Sequence, residues 1–160
     1  MPLPQLIAED VRELDRLLGE LVARSESSAA MIIDKAGFLI NQAGDYEHFD
    51  STTLAALAAG SFAATQGMAS VVSEPNFNSV YQQGENFSLL VQNIEHDTLL
   101  LVVFAVHVSV GAVKYFANSS VPLLANQFRI ARERDPDATL DLATMNMENS
   151  SEFFRKVAQG

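Results

Sequence analysis

Hydrophobic and polar positions follow two different periods along this chain, and the changes between them predict eight elements. Helical spacing of apolar residues predicts a first helix over residues 6–24, a second over 51–73 and a third over 110–134. Short apolar runs bounded by turn residues predict strands over 29–34, 38–43, 77–82, 87–94 and 98–104. The predicted order is therefore α-β-β-α-β-β-β-α.

The two most apolar strands, the first and the fifth, are expected to pair at the centre of one sheet. Tight turns connect strand 1 to strand 2, and they connect strands 3, 4 and 5 in succession. These connections predict a five-stranded antiparallel sheet of order 2-1-5-4-3 with helices on both faces, which is an α+β fold. Pro122 is expected to break or kink the last helix, because proline lacks the amide donor that a helix interior needs.

The helix predicted over residues 51–73 contains no charged residue, whereas a surface helix normally has one charged face. One stripe of the helix has core-facing helical spacing and is expected to face the sheet: Leu54, Leu57, Ser61, Ala64, Met68 and Val71. The other side is expected to form a flat, uncharged surface that another protein contacts. This small-residue side consists of Ala56, Ala59, Gly60, Ala63 and Gly67. A membrane span is disfavoured, because Thr65, Gln66 and Ser70 interrupt the apolar run.

The third strand lies at an edge of the predicted sheet and carries no lysine or proline, which usually protect an edge from pairing. We therefore expect two copies of the chain to pair through this strand in a two-fold dimer. The predicted interface consists of Asn78, Ser79, Val80, Tyr81 and Gln82. The alternative is that the C-terminal segment of the same chain covers this edge.

The net charge of −10 and the pI near 4.6 argue against nucleic-acid binding, which needs clustered basic residues. No lysine or arginine occurs between Lys35 and Lys114, so a protein that docks on this part should present a neutral or basic surface. The chain has no cysteine, and its N-terminal segment lacks the features of a signal peptide. We expect a soluble cytoplasmic protein.

The sequence offers little enzyme chemistry. No phosphate-binding loop of the G-x-x-x-x-G-K type and no G-x-S-x-G nucleophile motif is present, so we expect neither a GTPase nor a serine hydrolase. His48 lies near Asp45, Glu47 and Asp50, but this spacing fits no standard metal site. His107 is expected to be partly buried and hydrogen-bonded. The expectation is no enzyme, no metal and no cofactor.

Three stretches of the chain resemble the roadblock family, and most closely its bacterial MglB-type members. They are MIIDKAGFLI at 31–40, DSTTLAALAAG at 50–60, and Gly84-Glu85 followed by LLLVVF at 99–104. The resemblance covers residues 6–117. It implies a roadblock/profilin-like fold, a homodimer with one continuous sheet across strand 3, and paired central helices. It also implies that a Ras-like small GTPase binds this helix pair and that its GTP hydrolysis is stimulated.

The 78 residues between Lys35 and Lys114 contain no arginine, so this part of the chain cannot insert an arginine finger into a GTPase. Stimulation would instead have to come from positioning the catalytic groups of the GTPase. Two other classes of function stay open, namely a dimeric scaffold or adaptor without effect on hydrolysis, and an enzyme or small-ligand binder. We predict a roadblock domain over 1–135 and a tail over 136–160. The tail is either a frayed terminus or a short amphipathic docking helix.

Overall fold

A computed structural model describes residues 3–134 of the chain. Its eight elements follow the predicted order. They are α1 (Ala8–Ser25), β1 (Ala29–Asp34), β2 (Leu39–Gly44), α2 (Ser51–Val71), β3 (Ser79–Gln83), β4 (Phe87–Glu95), β5 (Thr98–Ala105) and α3 (Val110–Glu133). The predicted tail over 136–160 lies outside the described residues.

The five strands form one antiparallel sheet of order β2-β1-β5-β4-β3, which confirms the predicted topology. Five successive residues of β1, Ala29–Ile33, are buried, and so is nearly all of β5, because both strands are covered on both faces. α1 and α3 pack on one face, where Leu14, Leu18 and Phe128 are fully buried. α2 packs alone on the other face.

α3 continues through Pro122, so of the predicted break or kink the break is wrong. Proline removes one backbone hydrogen bond, but Leu124 and Phe128 just beyond it are fully buried in the core. Packing of this apolar face supplies most of the stability of such a helix, and it outweighs the lost bond.

β3 begins at Ser79, two residues later than the sequence predicts. The cause is the side-chain amide of Gln66 in α2, which takes both backbone groups of Phe77. Gln66 Nε2 donates to the Phe77 carbonyl at 2.7 Å, and the Phe77 amide donates to Gln66 Oε1 at 3.3 Å. Phe77 is thereby bonded to the helix and not to a neighbouring strand.

Gly44 at the end of β2 is expected to be intolerant of any side chain. Its φ is +92°, and a Cβ there would lie 2.4 Å from the Ser28 carbonyl oxygen and 2.9 Å from Ala29 Cα. Gly44→Ala should lower the free energy of unfolding by about 2–4 kcal/mol, because left-handed strain and a clash with fixed backbone add together. Urea denaturation measures this change.

Gly19 in α1 provides the matched control, since it is exposed and a Cβ there would meet nothing within 4 Å. Gly19→Ala should stabilise the protein by up to about 1 kcal/mol through helix propensity alone. Equal effects of the two substitutions would show that the Gly44 turn is not constrained as described.

Candidate functional site

Asp50 directly precedes α2, and its carboxylate caps the helix. Asp50 Oδ1 accepts the Thr53 amide at 3.1 Å, and Oδ2 accepts the Thr53 hydroxyl at 2.6 Å. These bonds, above all the one from the hydroxyl, hold the pKa of the Asp50 carboxyl below its usual range. The negative charge is therefore fixed at the start of a helix that carries no other charge along its 21 residues.

The side of α2 that faces the sheet consists of alanines and one phenylalanine, and it is neither of the two sides that the spacing predicts. The buried residues are Ala55, Ala58, Ala59, Phe62 and Ala69. The predicted sheet-facing stripe is wrong for Leu57, Met68 and Val71, which are 66, 57 and 85% exposed, whereas Leu54 packs against the core as predicted. Alanines on the inner side let the helix approach the sheet closely, and Phe62 fills the space that remains against Leu99 and Leu101.

The outer side of α2 is therefore more apolar than the sequence indicates. Four of the five residues predicted to contact a partner are exposed there, whereas Ala59 is buried against the sheet and is not accessible. We call this outer side the α2 platform, and it consists of Ala56, Leu57, Gly60, Ala63, Gly67, Met68 and Val71. Exposed apolar side chains grouped on one uncharged helix mark a surface that contacts another molecule.

α2 is also long and apolar enough to cross a membrane by length and composition alone, with a mean hydropathy of 1.2. Its inner side, however, packs on Met31, Ile33 and Leu101 of the sheet. The apolar inner side thus belongs to the core of this domain. Packing among residues 3–134 leaves the apolar outer side uncovered.

The β1–β2 turn widens the apolar surface near the start of α2. Asp34 Oδ1 accepts the Ala36 amide, and this local bond orders the turn. Gly37 has a φ of +103°, and a Cβ there would lie 3.2 Å from Ala56 Cα, so glycine lets the turn contact the helix closely. The next residue, Phe38, is 71% exposed, and it directly follows the glycine that approaches Ala56 of the α2 platform.

β3 forms the free edge of the sheet next to α2. The Tyr81 ring stacks on Phe104 with ring centroids 6.2 Å apart, and Lys114 Nζ of α3 lies 5.8 Å from the centre of the Tyr81 ring. These contacts involve Tyr81 alone, and four of the five residues of β3 are exposed. Within residues 3–134, no backbone group pairs with the outer edge of β3, so α3 does not close this edge.

A cleft of about 580 Å³ separates α2 from the start of β3. Phe62, Ala63 and Gln66 line one side, and Phe77 and Asn78 line the other. Lys35 contributes a cation at the end of the cleft, where its Nζ donates to the His96 carbonyl at 2.5 Å. Among the residues that the structure describes, no three carboxylate or imidazole groups lie close enough together to hold a metal ion.

All arginines among residues 3–134 lie on α1, on α3 or at the end of α3. These two helices cover the face of the sheet opposite to the α2 platform. The arginines are Arg12, Arg16, Arg24, Arg129, Arg132 and Arg134. His48 is an exposed loop residue 3.4 Å from Asp45. His107 is exposed, which corrects the prediction that it is partly buried.

A family model for the Roadblock/LC7 domain matches residues 13–104, from α1 to the end of β5. The chain belongs to the Roadblock/LC7 domain family. The match spans the sheet, α2 and the free edge of β3, and therefore the α2 platform and the cleft beside it. A search of curated proteins found no match.

Solved MglB structures are similar to this roadblock chain over most of their length. MglB from Myxococcus xanthus is 26% identical with a TM-score of 0.75, and the match covers 82% of this chain and 99% of that one. The gliding protein MglB from Thermus thermophilus is 27% identical with a TM-score of 0.73, covering 81% and 98% of the two chains. A further structure, described as MglB with a tetrameric arrangement, is 27% identical with a TM-score of 0.74 and covers 82% and 98%. The resemblance to MglB-type roadblock proteins is confirmed.

Proposed function

We propose that this protein is a homodimeric regulator of a bacterial Ras-like small GTPase in the cytoplasm. The observation that carries the proposal is the α2 platform, an uncharged helix face on which Leu57, Met68 and Val71 are mostly exposed. Similarity to MglB over four fifths of the chain supports the same assignment. The GTPase would contact the platform mainly through apolar and small side chains.

Regulation by this surface acts through positioning and not through an inserted charge. α2, β3 and the loops beside them contain no arginine, and the described arginines are on the opposite face of the sheet. A protein that binds the mobile loops of a GTPase can still accelerate hydrolysis, because it holds the attacking water and the GTPase's own side chains in the reactive geometry. The expected acceleration is therefore smaller than the roughly 10⁵-fold effect of an inserted arginine.

Single-turnover GTP hydrolysis by the Ras-like GTPases of the same organism, measured with and without this protein, tests the proposal. We expect one GTPase to hydrolyse GTP roughly tenfold to a hundredfold faster in its presence. Binding without any change in hydrolysis would instead identify a scaffold or adaptor. If no Ras-like GTPase binds or responds, regulation of a small GTPase is the wrong function.

A further inference from the structure

α1 and α3 run side by side in opposite directions, with a groove between them on the face of the sheet away from the α2 platform. Asp10 in the first turn of α1 bonds to Gln127 and Arg134 near the end of α3. Two turns further along α1, Leu17 lines a small hollow together with Leu123 of α3. The two helices therefore stay alongside each other over this length, and the groove follows both.

Two apolar side chains of α3 remain partly uncovered along this groove. Ile130 and Leu123 are 42 and 53% exposed. Ile130 borders a cleft of about 520 Å³ between α3 and the start of α1, and Leu123 borders the smaller hollow. The two side chains are seven residues apart, so they lie on one side of α3 and about 10.5 Å apart along its axis. Only an element that spans this distance can bury both.

Arg12 of α1 is exposed and lines the same cleft as Ile130. It is the one arginine of residues 3–134 that pairs with no carboxylate of these residues, whereas the other five form ion pairs at 2.6–2.8 Å. Of the carboxylates that line the cleft, Asp10 and Glu13 already bond to other arginines. The charge of the third, Glu9, acts on an arginine at the end of α3. An unpaired cation beside an apolar groove favours an occupant that carries an acid.

The chain leaves α3 at this cleft. Arg134 follows the last helical residue with an extended backbone and is held there by its two bonds to Asp10. The next three residues, Asp135-Pro136-Asp137, are typical of a helix start, because aspartate is a preferred N-cap and proline is favoured at the first helical position. A second acid in the first turn suits the helix dipole. A helix that starts at Pro136 would leave a two-residue connection, within the two to five residues that join antiparallel helices.

We infer that residues 136–148 form a helix that returns antiparallel to α3 and lies in the groove between α3 and α1. In this arrangement Leu140 lies beside Ile130, about one turn from the connection, and Met147 lies beside Leu123, about three turns from it. Leu140 and Met147 are seven residues apart, as Ile130 and Leu123 are, so both contacts form together. The inference does not depend on the regulation of a GTPase.

The charge of the returning segment fits the same alignment. Asp141 follows Leu140 directly and therefore lies at the level of Arg12, because Arg12 and Ile130 line one cleft. Its carboxylate supplies the partner that residues 3–134 do not give to Arg12. An ion pair in so open a position adds little stability, but it favours this alignment over one displaced by a turn.

The last part of the chain is a less suitable occupant of the groove. Its apolar residues, Phe153, Phe154 and Val157, lie within five residues and would span only about 6 Å along a helix. Ile130 and Leu123 are about 10.5 Å apart along α3, so this shorter cluster could bury one of them and not both.

Pairs of cysteines test the position of the segment cleanly, because the full-length chain contains no cysteine. Ile130→Cys is combined with Leu140→Cys, and Leu123→Cys with Met147→Cys, and the free thiols are counted after mild oxidation. Helix axes 8–10 Å apart place facing Cα atoms roughly 4–7 Å apart, close to the roughly 4.4–6.8 Å that a disulfide spans. We expect both pairs to form disulfides within one chain.

Ile130→Cys with Leu142→Cys is the matched control. Leu142 is two residues beyond Leu140 and about 200° around the helix from it, so it should face solvent. This pair should oxidise at least about tenfold more slowly, since its Cβ atoms point apart. Equal oxidation of the control and of the Leu140→Cys pair, or no disulfide in any pair, would overturn the inference. Covalent dimers from a mixture of the single variants Ile130→Cys and Leu140→Cys would also overturn it, because the segment would then dock on a second copy.

Charge exchange tests the alignment at Arg12. In the Ile130→Cys and Leu140→Cys chain, Arg12→Glu should slow oxidation roughly threefold to tenfold, and Asp141→Arg added to it should restore the rate. Lys35→Glu, in the cleft beside α2, changes the net charge equally and should leave the rate unchanged. An equal effect of Arg12→Glu and Lys35→Glu would contradict the proposed pair.

Amide hydrogen exchange of the unmodified chain gives a check without substitutions. We expect the amides of residues 140–148 to exchange at least about tenfold more slowly than those of a free peptide with the same sequence. Exchange at the rate of the free peptide would overturn the inference. Regulation of a GTPase would then still stand or fall on its own hydrolysis assay.

Discussion

Gly67→Arg is expected to abolish the effect of this protein on the proposed partner GTPase without unfolding this protein. Gly67 is exposed on the α2 platform, and a Cβ there would meet nothing within 4 Å, so the longer side chain fits the isolated chain. In the complex, however, a guanidinium would lie in a close contact made of small and apolar residues. An unpaired charge in such a contact weakens binding by roughly 3 kcal/mol, which is more than a hundredfold in Kd.

Gly19→Arg is the matched control for this experiment. Gly19 is also an exposed helical glycine with open space around it, but it lies in α1 on the opposite face of the sheet. Both variants should therefore have the secondary structure of the parent, and only Gly67→Arg should lose stimulation of GTP hydrolysis. Ala63→Arg, one turn earlier on the platform, should behave as Gly67→Arg does.

The measurements are single-turnover hydrolysis, binding affinity and sedimentation of each variant. Full binding and stimulation by both Gly67→Arg and Ala63→Arg would show that the α2 platform is not the contact surface. Loss of stimulation by Gly19→Arg to the same degree would show that the assay reports a general defect. Sedimentation distinguishes loss of the partner from loss of the proposed dimer.

Most of the fold could be predicted from the sequence because two local signals agree with the tertiary structure. The apolar runs of β1 and β5 are long enough to demand cover on both faces, which places them at the centre. Tight turns then leave one strand order. Pro122 shows where local signals fail, since burial of Leu124 and Phe128 beyond it decides the outcome and no local pattern contains that information.

The orientation of α2 could not be predicted reliably from spacing, because the helix is apolar on every side. Assigning the larger residues to the core placed Leu57 and Met68 inside, yet both are more than half exposed. The informative residue is Phe62, the one aromatic of the helix, which defines the inner side together with Ala55, Ala58 and Ala69. An inner side made mostly of alanines allows close contact between a helix and a sheet.

The sequence predicts which residues of the candidate site on α2 are accessible, with one exception. The sequence places partner contacts on α2, and four of the five residues are exposed there, with Ala59 as the exception. The edge at β3 is confirmed as an edge. Which residues of β3 direct their backbone groups outward depends on how the strand bonds to β4, and the bonds of the Asn93 and Gly84 amides fix this. The sequence does not contain this information, so it could not reveal that the backbone groups of Gln83 point outward like those of Ser79 and Tyr81.

Asp10→Asn is expected to be the most destabilising conservative substitution on the α1–α3 face. Asp10 is fully buried, and its carboxylate accepts two hydrogen bonds from Arg134, at 2.7 and 2.8 Å. Gln127 and the Ile7 amide each donate a further bond at 2.8 Å. One carboxylate thereby joins the start of α1 to the end of α3. Its loss should lower the free energy of unfolding by about 2–3 kcal/mol at neutral pH, since Arg134 is partly exposed and can be rehydrated.

The same carboxylate should make stability depend on acid. The hydrogen bonds from Arg134 lower the pKa of Asp10 from 3.8 to about 2, against the opposing effect of burial. A carboxyl with a lowered folded-state pKa stabilises the protein above its unfolded pKa, and this stabilisation is lost as the pH falls through 3.8 towards 2. The difference between the two pKa values corresponds to about 2 kcal/mol.

Urea denaturation of the parent, Asp10→Asn and Glu13→Gln between pH 7 and pH 2 measures both effects. Glu13 is the control, because it is a carboxylate of the same helix whose pair with Arg16 is largely exposed. Glu13→Gln should change stability by less than about 0.5 kcal/mol at neutral pH. The difference in the free energy of unfolding between the parent and Asp10→Asn should shrink steadily below pH 4. Protonation of Asp10 in the parent then removes the same charge that the substitution removes in the variant. A difference that stays constant down to pH 2 would show that packing, and not the ionised carboxylate, joins the two helices.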